Sequence, residues 1–208
     1  MKLQSKLFLG IGFILSVALA GVVYTDTLRE RTAFEAEVRS DARNLQSMMA
    51  AVRKVYIQQF KASGLPVTDD TIGFLPAHAM SRIADEYKTR TETGITFNNV
   101  SDRPRNPSNL ADSIEMMAID YFREHPDEKE RIVNFSNADG EPGYHFSAPI
   151  WIEPTCLTCH GERSKAPSAV RDRYENSWGY KLGELRGILS IKLPGTELTR
   201  RIENHYQN

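Results

Sequence analysis

From Thr25 to Ser63 the chain contains neither proline nor glycine, and this stretch follows directly on an uncharged run, Leu7–Tyr24. Backbone without those two breakers, carrying a regular apolar stripe, has little choice but helix. Phe34, Val38, Leu45, Met49, Val52, Tyr56 and Phe60 supply the stripe at spacings of three, four and seven, with charged residues between them. Asp26 or Thr27 can cap the start, and Ser63-Gly64-Leu65-Pro66 ends it. One long amphipathic helix is predicted over 26–62, continuing from whatever residues 1–25 form.

Residues 1–25 have two readings. Lys2 and Lys6 precede the run and Asp26 follows it, which places the N-terminus on the cytoplasmic side. Ala18-Leu19-Ala20 before Gly21 fits a leader cleaved near Ala20. The run nevertheless continues through Val22, Val23 and Tyr24, longer than a leader's apolar region needs and close to a bilayer-spanning length, which favours an uncleaved anchor over residues 7–24. Either reading exports the rest of the chain, and a periplasmic location is expected.

Beyond the long helix, Pro76 opens a second one reaching about Thr91. Residues 94–100 alternate as a strand, and 101–108 carry Pro104 and Pro107 as a loop. A third helix is predicted over about 108–124, closed by His125-Pro126. Strands follow at 131–135 and 144–152, with Asp139-Gly140 supplying the turn. On the second strand Tyr144, Phe146, Ala148, Ile150 and Ile152 share one face, while His145, Ser147 and Trp151 share the other. A last strand covers 185–193, and a helical tail 196–206. Helices followed by an antiparallel sheet make an α+β domain of PAS-like character, with flanking helices, over 63–195; residues 196–208 form the tail.

The two cysteines stand two residues apart with a histidine behind them: Cys156-Leu157-Thr158-Cys159-His160. C-x-x-C-H is the attachment pattern of c-type haem. Two thiols add across the porphyrin vinyl groups, and the adjacent imidazole becomes the proximal iron ligand. Competing explanations fit less well. A thioredoxin-like pair belongs in a βαβ unit, whereas Pro154 precedes this one and Gly161 follows it. Structural zinc wants a second ligand pair, and none is spaced for it. A disulfide across two residues is strained. One covalent haem c is therefore expected, on Cys156 and Cys159, with His160 on the iron.

The residues Leu75–Ala79, Asn106–Asp112, Ala148-Pro149-Ile150, Glu153–Gly161 and Trp178–Ile191 resemble the Tll0287-like (DUF3365) family over about residues 30–195. The resemblance implies a periplasmic, PAS-like haem c domain, found alone or as the sensor of membrane receptors. Such receptors continue into a second membrane helix and an output domain. Neither is present here, so a signal is expected to pass to a protein partner, or else the protein carries electrons as a cytochrome c or as an accessory haem subunit of a membrane oxidoreductase complex.

The sixth iron position separates these roles, since an open site admits O2, CO or NO and a strong ligand favours electron transfer. In the resembling domain the long helix passes over the haem, which makes Met48 and Met49 distal candidates, with Tyr56 two turns on. His78 stands where the family often has an aromatic residue, and His145 is a candidate if its strand face lines the pocket. His125 and His205 are expected on the surface. Arg53 is the first candidate for a haem propionate, with Arg105 and Lys181 behind it.

Composition excludes other classes. With 26 basic and 27 acidic side chains the net charge is −1, and no basic stripe suggests nucleic acid. No catalytic triad, phosphate loop or dinucleotide fingerprint occurs, so no enzyme activity is expected.

Overall fold

The computed structural model describes residues 3–91, 93–137 and 140–196. Helix α1 (Leu3–Ala62) is unbroken. Its first part, through Val38, is one unit, and Arg39–Gly195 is another. In the first unit the apolar run is exposed throughout, with Phe8, Phe13 and Leu19 all more than 60% accessible. Eighteen residues of helix rise about 27 Å, close to the hydrocarbon thickness of a bilayer. The segment is thus long and apolar enough to cross a membrane, a description that a leader sequence also meets.

In the second unit, α1 ends at Ala62 where Gly64 takes φ +64°. Helix α2 (Pro76–Arg90) begins on a proline at its first position, where a missing N–H costs nothing. Strand β1 (Thr96–Val100) starts two residues later than the alternation predicts, because Gly94 turns the chain at φ +69°. Helix α3 is Ser113–Glu124, shorter than its predicted span. The difference lies in its cap: Asp112 accepts from the Glu115 N–H at 3.1 Å while Glu115 accepts from the Asp112 N–H at 2.9 Å. This reciprocal box fixes the helix start, and Pro107–Asn109 forms only a 3₁₀ turn. Asp112→Ala is expected to cost about 1 kcal/mol, measured by urea denaturation.

Strands β2 (Arg131–Ser136), β3 (Pro142–Trp151) and β4 (Leu185–Pro194) complete an antiparallel sheet of order β1-β4-β3-β2. The turn residue Asp139 lies outside the described residues, as do the predicted tail beyond Thr196 and His205. The register pairs Phe146 with Ile191, and Ile191 with Phe97, on one face. Ser147 pairs with Ser190, and Ser190 with Asn98, on the other. Helix α3 packs over β4 and β3, and its Ala118, Ile119 and Phe122 form a core with Val100, Leu185 and Ile188. Both faces of β3 are covered, one of them by α3: His145 and Ser147 are as fully buried as Phe146. The alternation predicted for this strand is real, but it does not mark an exposed face.

Gly187 shows how tightly β4 meets its neighbour. A Cβ there would lie 2.1 Å from the Val100 carbonyl oxygen, so no larger residue fits without moving the backbone.

Candidate functional site

After β3 the chain makes a 3₁₀ turn, Pro154–Cys156, and then one helical turn, α4 (Leu157–His160). Helical spacing puts residues three and four apart on one side, so Cys156, Cys159 and His160 converge. Gly161 closes the turn by donating its N–H to the Leu157 carbonyl at 2.9 Å. A Cβ at that position would stand 2.6 Å from the same oxygen.

A second segment, Tyr174–Tyr180, is strapped against this turn. The Gly179 N–H donates to the Gly161 carbonyl at 2.9 Å, and the Tyr180 N–H to the His160 carbonyl at 3.1 Å. Ser177 adopts φ +67°, uncommon outside glycine, and its carbonyl faces His160 Nδ1 at 3.2 Å. A carbonyl can only accept, so Nδ1 carries the proton and the Nε2 lone pair is left free. Burial, and then Arg186 and Arg105, hold the His160 pKa down to about 3, so the imidazole is neutral at physiological pH.

All three motif side chains line one cavity of about 690 Å³, within the range of a cofactor site. Arg53, Ile57 and Phe60 of α1 line it at helical spacing, joined by His78 of α2, Tyr174 of the strap, Arg105 and, from β4, Arg186. The wall is cationic. Arg105 is held down to about 10 by burial, partly offset by Cys159. Arg186 is also lowered, first by burial and then by the charge of Arg53. Among the described residues, Arg53, Arg105 and Arg186 pair with no carboxylate. Arg105 Nε is buried without a partner. Burial also raises the Cys159 thiol, against the pull of Arg105.

The model of the Tll0287-like family matches residues 30–194, which takes in the whole cavity wall. The chain belongs to the Tll0287-like family. A solved structure of the cyanobacterial heme protein Tll0287 shares the fold, with a TM-score of 0.53 and 22% identity over 73% of this chain and 95% of that one. No curated protein matches the chain.

Within this Tll0287-like domain the sequence candidates separate clearly. His78 lines the cavity, where its Nε2 lies 2.9 Å from the Tyr174 hydroxyl. Burial, then Arg173 and Arg105, lower its pKa, which favours a neutral ring accepting the phenol proton. The other three distal candidates stand away from the cavity. His145 falls on the α3 face of the sheet, whereas Asn99, a lining residue, falls on the opposite face. Its Nε2 meets Ser190 Oγ at 3.0 Å. Met48 is 65% exposed, because its angle on α1 points away from the Arg53-Ile57-Phe60 stripe. Met49 is buried but lies one turn short of the lining residues. Tyr56 and Lys181 are exposed and outside the lining, and His125 is exposed and stacked on Tyr121.

Arg53 and Arg105 both line the cavity, as their candidacy requires. Arg186 and Tyr174 were not singled out from the sequence. Arg186 carried a signal, a cation near the start of a mostly apolar strand, while Tyr174 sits in a polar stretch that offered none.

Proposed function

We propose that the protein is a monohaem c domain at the periplasmic face of the membrane, tethered by α1, that senses redox state or a diatomic gas and signals through a protein partner. The observation that carries the haem is the convergence of Cys156, Cys159 and His160 on a cavity where Arg53, Arg105 and Arg186, among the described residues, pair with no carboxylate. The residues fit such a group. Cys156 and Cys159 would hold it as thioethers, and His160 would offer its free Nε2 to the iron. Arg53 and Arg186, two like charges on the wall of one cavity, would receive the propionates. When bound, the iron supplies a one-electron couple or a binding position for a diatomic molecule.

His78 is the distal candidate that lines the cavity, and its Nε2 is already engaged with Tyr174. To reach iron, that nitrogen must release the phenol. That competition supports a weakly held or open sixth position, and hence sensing. The second reading, an electron carrier or accessory haem subunit, requires a strong sixth ligand, and for His78 Nε2 to be that ligand it would have to leave Tyr174.

Visible spectra of the haem-loaded exported fragment, reduced with and without CO, test the choice. Rapid CO binding is expected. A low-spin ferrous form that ignores CO would favour the electron carrier, and His78→Ala should then open the site.

A further inference from the structure

Ser177 presents one carbonyl to two donors. His160 Nδ1 approaches it at 3.2 Å, and an Nη of Arg105 at 3.4 Å. That same Nη also donates to the Cys159 carbonyl, in the turn that carries the motif. The guanidinium is fixed from other sides as well: its centre lies 4.4 Å from the Trp178 ring centroid and 5.4 Å from that of Tyr174. Trp178 is itself pinned, its indole N–H donating to the Tyr174 carbonyl at 3.1 Å. The carbonyl is aimed by the left-handed backbone of Ser177, an unusual conformation for a residue with a side chain.

We infer that Arg105 is a positioning residue that sets the electron-donating strength of the His160 imidazole by sharing the Ser177 carbonyl. The inference rests on the reading of His160 as an iron ligand. A hydrogen bond from Nδ1–H to a strong acceptor makes the ring a more basic ligand, which favours ferric iron. A carbonyl that already accepts from a guanidinium is a poorer acceptor for the imidazole. Arg105 therefore weakens the His160 bond, makes the ring a weaker donor and raises the reduction potential. Its positive charge acts in the same direction, so the potential alone does not separate the two effects.

The iron–histidine stretching band of the ferrous haem-loaded protein does separate them, because it reports the strength of the ligand bond. In Arg105→Lys the charge stays but the planar fork is lost. In Arg105→Met both go. The expected result is a stretching band at higher frequency in both variants, with a lower potential in both and the larger drop in Arg105→Met. Potentials that fall only in Arg105→Met while the band stays at its wild-type frequency would reduce Arg105 to a plain charge and overturn the inference. If Arg105→Met does not accumulate, Arg105→Lys alone decides by the same band. Failure of the underlying reading looks different: the wild-type ferrous protein would then show no iron–histidine band that His160→Gly abolishes.

Discussion

Replacing Cys156 and Cys159 together with serine is expected to remove covalently bound haem entirely. A denaturing gel stained for haem peroxidase activity should show a band for the wild-type chain and none for the double variant. Each single variant keeps one thiol, and its pyridine haemochrome should shift toward that of a porphyrin with one unsaturated vinyl group. The effect is all-or-none because serine does not form the thioether. The cavity would still accept a free porphyrin, since Arg53, Arg186 and His160 remain, so the double variant should bind added haem reversibly. Equal haem staining in the double variant would rule out attachment at this turn.

The second large effect concerns pH. His145 is fully buried between α3 and the sheet. Its Nε2 meets Ser190 Oγ, which in turn lies 2.7 Å from Glu115 Oε1, while its Nδ1 has no partner. Lys192 sits 3.0 Å from Glu115 and 2.5 Å from Asp112. Burial pushes the His145 pKa down to about 4, with Lys192 and Arg131 helping and Glu115 and Asp112 opposing. The unfolded chain titrates this residue near its ordinary value of about 6.5. Above that pH both states are neutral and the full stability is present. Below it the unfolded chain takes a proton that the folded one refuses, and stability falls until about pH 4. Over that window the loss is about 3 kcal/mol from this residue. Urea midpoints at pH 7 and pH 4.5 should therefore differ less in His145→Gln, which stays neutral throughout, than in the wild type. An identical acid loss in both would show that His145 does not titrate in this way.

Features written in a few consecutive residues were legible in the sequence. The motif turn, the unbroken α1 and the strands of the hairpin all depend on local spacing, and the family resemblance drew on the same stretches. Asp112-x-x-Glu115 was legible too, as a capping box, but the start of α3 was set several residues early on the strength of Pro107 and Ser108. Other features depend on tertiary placement. Alternation along β3 cannot say whether one face or both are covered, and that depends on what packs on the sheet, α3 on the side of His145. For the same reason His145 looked like a ligand candidate. The carbonyl of Ser177 is a backbone group aimed by a dihedral angle, and no side-chain pattern records it.

The order of the sheet bears on how the chain is assembled as it emerges. β4 is the last strand in sequence, yet it lies between β1 and β3. Until residues 185–194 arrive, β1 has no strand partner and Arg186 has not taken its place in the wall. A chain emerging from its N-terminus thus presents Cys156, Cys159 and His160 while the compartment behind them is still open. At that moment the cavity lacks the part of its wall that Arg186 supplies. Strand β4 is thus the last piece of the wall to be placed, and a chain cut before Leu185 should show its two thiols more open to alkylation than the complete haem-free chain, where each is only partly exposed.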